Sequence, residues 1–348
     1  MARTAVVLFN LGGPDRPEAV EPFLYNLFSD PSIIGLPGPL RRFLARRISR
    51  RRAPIARHIY AELGGGSPLL PNTEAQARAL EAALQAGGEV VRAFVCMRYW
   101  HPMSTEVARA VRDFAPDRIV LLPLYPQFST TTTESSLRVW HEAAAVAGLD
   151  RPTHLVCCYP DEPGFVAAAA DLVRTGVAEA GPAARVLFSA HGLPKRVIAK
   201  GDPYQEQVER SAAAVAHAAG LAQASWLVSY QSRVGPLEWI GPATDDEIRR
   251  AGAETVKLVV VPIAFVSEHS ETLVELDIEY AKLARESGVP AYVRVPTVGT
   301  HPAFIAGLAG LVRAALEEKA PTRSSAGGRL CSSKWCRCIN PGEQAAAA

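Results

Sequence analysis

The sequence predicts an α/β protein built as two doubly wound, Rossmann-like lobes, each around a four-stranded parallel sheet. Two observations carry this prediction. Apolar runs rich in β-branched residues recur along the whole 348-residue chain, and alanine-rich amphipathic segments separate most of them. Eight strands alternating with helices imply parallel sheets wrapped by helices on both faces.

In chain order the strand-like runs are TAVVLFN from Thr4, VVRAFVCM from Val90, RIVLLPLY from Arg118 and THLVCCY from Thr153. RVLFSA from Arg185, SWLVSY from Ser225, VKLVVVP from Val256 and YVRVP from Tyr292 follow. Eight strands would also close a (β/α)8 barrel. The connections are uneven, however, with a long one from Asn10 to Val90, and two lobes joined near Val146 to Pro152 fit better. The expected divisions are residues 1–148 and 149–299, a final helix within 300–320 packing back on the first lobe, and a cysteine-containing tail, 321–348. The helix is the apolar stretch Pro302 to Leu316. From Glu317 the chain turns polar (EEKAPTRSSAGGR) and reads as a linker or extended tail, and the closing GEQAAAA as frayed.

A hydrophobic share of 48% with 21% charged residues is that of a globular protein, and a net charge of +2 points to no polyanionic partner. No apolar run approaches the roughly 18 residues of a membrane span. MARTAVVLFNLGGPD is too short in its apolar part for a signal peptide and reads as the first strand, so a cytoplasmic location is expected.

Candidate chemistry gathers at strand ends. SAHGLP, Ser189 to Pro194, follows one strand, with Gly192 and Pro194 holding His191 in a sharp turn. FVSEHSETLVELDIEY, Phe265 to Tyr280, follows another and carries His269 and Glu271. Open α/β sheets bind ligands at the carboxyl ends of their strands. An imidazole facing a carboxylate there takes protons or holds a divalent metal. Glu268, Glu271, Glu275 and Glu279 are spaced three, four and four, which on an α-helix puts them on one face, whether solvated or conducting a cation. Asp277 falls off that stripe. LFNLGGPD sets Gly12, Gly13 and Pro14 directly after the first strand, without the spacing of a dinucleotide fingerprint. Between Leu36 and Ala61, eight arginines crowd one helical segment, with Leu40, Phe43, Leu44 and Ile48 on another face. This pattern suits a helix at an anionic membrane surface, or a solvated basic face over a packed stripe; binding of nucleic acid is not expected. GGGSPL from Gly64, RYWHP from Arg98, LYPQFSTTTTESSL from Leu124 and QSRVGPLEWIGPAT from Gln231 complete the set. In LYPQFSTTTTESSL the hydroxyls also suit a helix cap, with Glu134 in the first turn. QSRVGPLEWIGPAT contributes Arg233, Pro236 and Trp239. Cys331, Cys336 and Cys338 are three thiols, too few for a closed four-ligand site.

These segments, in this order, closely resemble ferrochelatases, and the resemblance covers about Val6 to Pro321. It implies a lyase that inserts ferrous iron into protoporphyrin IX, with the porphyrin in a cleft between the lobes. The implied catalytic pair is His191 and Glu271. Substrate iron is implied to meet His191, Glu271, His269 and Glu275, and the porphyrin to meet Leu11, Gly12, Tyr60, Arg98, Tyr125, Ser129 and Trp239. An apolar lip in the Leu36 region is implied to face the membrane, which places the protein on the inner face of an anionic membrane as a peripheral protein; a homodimer is also allowed for. Some ferrochelatases bind a two-iron, two-sulfur cluster through three C-terminal cysteines and one from the body of the chain. Here those are Cys331, Cys336, Cys338 and, of the adjacent pair Cys157 and Cys158, Cys158. Zinc is open by ligand chemistry, whereas a disulfide is disfavoured in a reducing cytoplasm. Coproporphyrin in place of protoporphyrin, a cobalt chelatase acting on sirohydrochlorin, and a tetrapyrrole carrier without chemistry are the competing readings.

Overall fold

The computed structural model describes residues 2–233, 237–318 and 320–340. Pro236 and the GEQAAAA terminus lie outside the described residues. All eight strand-like runs form strands: β1 (Arg3–Asn10), β2 (Val90–Met97), β3 (Arg118–Pro123), β4 (Thr153–Cys158), β5 (Arg185–His191), β6 (Trp226–Gln231), β7 (Leu258–Pro262) and β8 (Tyr292–Arg294). A ninth, β9 (Thr322–Ser324), was not expected.

The chain divides into two compact units. The first comprises Met1–Tyr125, Ser129–Cys157 and Leu311–Arg323; the second comprises Pro126–Phe128, Cys158–Gly310 and the chain from Ser324. In the first, the strand order is β2-β1-β3-β4-β9; in the second it is β6-β5-β7-β8. The central strands β1, β5 and β7 are buried almost throughout, which is why their sequences lack a polar alternation. β1 pairs in parallel with β2 and β3, and β5 with β6 and β7.

The first sheet therefore has five strands, not four. β9 lies in a segment expected to be a linker, and its strand character comes from pairing with the exposed edge of β4. Leu155 N donates to Pro321 O, and Ser325 N to Cys158 O. Beyond it the tail is docked on the second unit: Gln207 Nε2 donates to Cys331 Sγ, and Trp335 Nε1 to Glu206 at 2.6 Å.

The helix Pro302–Glu317 is divided between the units at Leu311. Its first half lies against the helix Pro163–Ala180, where Phe165 meets Phe304 edge-on and any side chain at Gly164 would collide with Ala303 O. In its second half Arg313 pairs with Glu89 at 2.5 Å and donates to Ala83 O. Among the described residues no helix is long and apolar enough to cross a membrane.

Candidate active site

In both sheets the chain moves from one side of the first-formed strand to the other, so a switch point lies between β1 and β3 and another between β5 and β7. Crevices outside the carboxyl ends of strands at such points are where doubly wound sheets bind ligands. His191 ends β5, and His269 and Glu271 follow β7, so the sequence-predicted trio converges on the second switch point.

His191 is fixed by its neighbours. Gly192 donates to Gln231 O at 2.9 Å, and a Cβ at Gly192 would meet that same oxygen and the Trp239 ring. Ile240 N donates to Leu193 O and Lys195 N to Glu238 O, so the SAHGLP turn is stitched to residues 238–240. Tyr204 Oη donates to the His191 carbonyl at 3.1 Å. The imidazole Nδ1 then lies 3.2 Å from Glu271 Oε2, while His269 Nε2 lies 3.6 Å from the same oxygen. His269 is buried against the Phe265 ring, and its Nδ1 has no hydrogen-bond partner among the described residues.

The electrostatics follow from this geometry. Burial opposes the charged form of His191, but the Glu271 carboxylate outweighs it and raises the imidazole above its usual range. Burial also disfavours ionised Glu271, and the two imidazoles more than reverse this, keeping it ionised far below the usual carboxylate range. Glu275 is raised instead, by burial and by the neighbouring Glu271 charge. The site thus joins a half-exposed imidazole–carboxylate pair to a carboxyl that retains its proton more readily.

Glu275 is held by several donors: Ser232 N at 2.8 Å, Gln231 Nε2 at 3.2 Å, Tyr280 Oη at 3.0 Å and Ser232 Oγ at 2.5 Å. Gln231 also accepts from Ser189 Oγ and donates to Glu271 O, tying β5, β6 and the helix together. Sequence reasoning gave no role to Gln231, Ser232, Tyr204 or Tyr280. The signals for Gln231 were its place at the end of a strand and at the start of the segment QSRVGPLEWIGPAT.

The expected acidic face is not present as a single stripe. Residues Glu271–Tyr280 form a π-helix, whose wider turn breaks the three- and four-residue stacking of an α-helix. Glu268, before the helix, is drawn to Arg294 at 2.6 Å, and Glu279 is exposed. Asp277, expected off the stripe, also pairs with Arg294. Among the described residues no three His, Cys, Asp or Glu side chains are arranged as ligands of one metal ion. Here both imidazoles turn to one Glu271 oxygen, and Glu275 is engaged by its donors.

The residues of the first unit that the resemblance marked as porphyrin contacts follow β1, β2 and β3 or pack beside them. Gly12 has φ +84, and a Cβ there would press on Trp100 N and Met97, so glycine is required. Leu11 packs on the cluster that contains Tyr60, Tyr99 and Trp100. Arg98 is turned to buried Asp30 at 2.6 Å, and its Nε donates to Ser135. Ser135 in turn donates to Asp30, so it caps no helix. Tyr125 and Ser129 follow β3, and Ser129 Oγ pairs with the Thr131 hydroxyl. Trp239, in the second unit, lies over Gly192.

In the tail, the Cys338 thiol meets that of Cys331; this contact, against the effect of burial and helped by the Asn340 backbone and the Arg329 charge, lowers it to about 6. Cys336 Sγ lies where a side chain at Gly201 would stand, 3.5 Å from Lys200 O. Cys158 is buried in β4 beside Cys157. Cys96 is a different case: burial raises its thiol to about 12, despite the Ser104 hydroxyl.

The ferrochelatase family model matches residues 3–316. A ferrochelatase from Caulobacter vibrioides is 57% identical over 340 residues, covering 97% of each chain. One from Phenylobacterium zucineum is 58% identical over 344 residues with the same coverage. Among solved structures, SirB from Bacillus subtilis with Fe3+ shares the fold with a TM-score of 0.53 at 12% identity, covering 90% of this chain and 96% of that one. The match spans nearly the whole chain and includes every segment that builds the site, and the chain belongs to the ferrochelatase family.

Proposed function

We propose that the protein inserts ferrous iron into protoporphyrin IX through His191 and Glu271, as the last step in making haem. The observation that carries this reading is the 3.2 Å pair at the β5/β7 switch point, a base and a carboxylate on separate strand ends. Metallation removes two protons from pyrrole nitrogens. Neutral His191 accepts a proton, and Glu271 stabilises the imidazolium that results. The lone pair of buried His269 and the inward carboxyl of Glu275 supply a route by which iron arrives or protons leave. Leu11, Gly12, Tyr60, Arg98, Tyr125, Ser129 and Trp239 are the proposed porphyrin contacts, Arg98 acting through its fixed guanidinium rather than as a mobile charge. Anaerobic insertion assays with protoporphyrin and coproporphyrin test the reading. Turnover on protoporphyrin supports it, preference for coproporphyrin reassigns the substrate, and binding without turnover leaves a carrier.

We propose further that Cys158, Cys331, Cys336 and Cys338, whose thiolate chemistry suits a two-iron, two-sulfur cluster, would hold one, although among the described residues the thiols are not gathered as ligands of one ion. Two of these thiols already touch, one of them is acidified, and a third fills a cradle left open by Gly201. When bound, such a cluster would be held by Cys158 of β4 and the three tail thiols, would supply electron-accepting chemistry and would tie the tail to β4. Iron, sulfide and zinc analysis of anaerobically purified protein tests this: iron and sulfide should fall in Cys336→Ser, whereas stoichiometric zinc without sulfide excludes the cluster. Retention of a full cluster in Cys158→Ser would move the fourth ligand to Cys157.

Peripheral attachment to the inner face of an anionic membrane is supported by the helix Gly38–Ala61. Leu40 and Phe43 are 53% and 65% exposed amid arginines, whereas the helix packs inward through Ala45, Ser49 and Ala53. A second copy of the chain is the competing occupant of that surface, so vesicle binding and oligomeric state are to be measured together.

A further inference from the structure

A π-helix of ten residues is unusual, because the i→i+5 turn is normally a single-turn bulge within an α-helix. Something beyond its own hydrogen bonds must hold it, and the neighbouring strand β8 supplies two attachments. Tyr292 Oη donates to Leu276 O at 2.8 Å. Arg294, only 12% exposed, reaches in two directions. Its Nη1 donates to Glu268 Oε1 at 2.6 Å, and its Nε and Nη2 grip both oxygens of Asp277. Glu268 Oε1 also accepts from Thr297 N at 2.8 Å, so the turn before the helix is fastened to the chain beyond β8. His269, Glu271 and Glu275 all lie between the two carboxylates that Arg294 joins.

We propose that Arg294 is a positioning residue for metal insertion: by clipping Glu268 to Asp277 it fixes the π pitch, and with it the placement of Glu271 against His191. The proposal rests on the reading that these two residues carry the reaction. A planar, forked guanidinium can hold a carboxylate bidentately and a second one at its other edge. An ammonium is a single point and cannot. Reacting groups displaced by about 1 Å lose on the order of 100-fold in rate, so a loosened helix should affect turnover more than binding.

The experiment uses the full-length protein. Arg294→Lys keeps the charge and loses the fork; it should lower kcat by about 10- to 100-fold while leaving the porphyrin KM within about threefold of wild type. Arg294→Ala should recover part of its kcat on addition of guanidinium, which His191→Ala should not. Thermal unfolding of each variant separates this from loss of folded protein. Wild-type kcat in Arg294→Lys would overturn the proposal. So would losses that guanidinium leaves unchanged and that follow the folded fraction. Full turnover in His191→Ala would instead remove the reading on which the proposal stands, and the two failures are distinct.

Discussion

At corresponding turns of the two sheets the chain carries Leu11-Gly12 just after β1 and His191-Gly192 at the end of β5. At the ends of the paired strands β2 and β6 it carries Arg98 and Gln231 in turn. The strand orders β2-β1-β3-β4 and β6-β5-β7-β8 are the same, yet the polar groups at the two switch points are deployed differently. In the first unit those gathered on Asp30 are mutually satisfied. Asp30, with no exposed side-chain surface, accepts from Arg98, Arg138, Tyr99, Ser135 and Ser32 N. In the second, His191 and Glu271 remain 37% and 28% exposed and face chiefly each other. Topology therefore supplies two equivalent switch points, and on the proposed reading the hydrogen bonding around each separates a framework from groups left to react.

The largest expected effect breaks this contrast on the reactive side. His191→Ala should reduce insertion by about 10²–10⁴-fold, the usual cost of losing a general base, with little change in unfolding temperature. Near-normal turnover would make His191 another framework residue.

On the framework side, Asp30→Ala leaves Arg98 buried without its partner. Such a break typically costs about 3–5 kcal/mol, and urea unfolding should register it. The pH dependence has a definite sign. Burial opposes the charge on Asp30, but Arg98 and the hydroxyl and amide donors lower its folded value below the ordinary one. Its contribution to stability is therefore complete above the unfolded carboxylate value, near pH 4, and is lost as the pH falls through the lower folded value. A wild type and an Asp30→Asn variant that lose stability equally between about pH 4 and pH 2 would refute this account.

The third test sharpens the reactive side. Glu271 raises the His191 value, so the rate should fall as pH drops through a midpoint above the ordinary histidine value of about 6.5. Glu271→Gln should lower turnover and move that acid limb to lower pH, because the imidazole loses its partner. Glu279→Gln, at an exposed position, should do neither. An unmoved limb in Glu271→Gln would separate the carboxylate from the base.

How much of this was legible in the sequence depended on where each interaction originates. The eight strands were legible from their apolar, β-branched-rich runs, most plainly β1, β5 and β7, which are buried almost throughout. β9 was not: Thr322, Arg323 and Ser324 have no such pattern, and only the edge of β4 makes them a strand. His191 and the pair His269 and Glu271 stood out by their place after strands and by the resemblance. The π-helix was hidden because a three- and four-residue spacing of carboxylates reads equally as α-helix, and the residue that holds it, Arg294, lies in a different strand. Gln231 and Tyr204 were missed for the same reason, their partners being distant in sequence.

The smallest expected effect concerns a surface rather than a switch point. From its start to Ala53 the helix Gly38–Ala61 buries the small residues Ala45, Ser49 and Ala53 and exposes Leu40 and Phe43, the reverse of a helix that only covers a core. Arg41 and Arg57 are partly engaged, donating to Ser29 O, Leu36 O and Pro17 O. Arg42, Arg46, Arg47 and Arg51 are exposed around Leu40 and Phe43. Each arginine near an anionic surface contributes about 1 kcal/mol and is screened by salt. Inserted apolar side chains add a part that salt does not remove. Replacing Leu40, Phe43 and Leu44 together with Ser should thus weaken binding to vesicles containing anionic lipid and leave a residue of affinity that disappears at high salt, while turnover on a soluble porphyrin is nearly unchanged. Binding that survives both the replacement and high salt would assign attachment to another part of the molecule. A wild type that never binds vesicles but self-associates through these residues would assign the surface to a second copy of the chain.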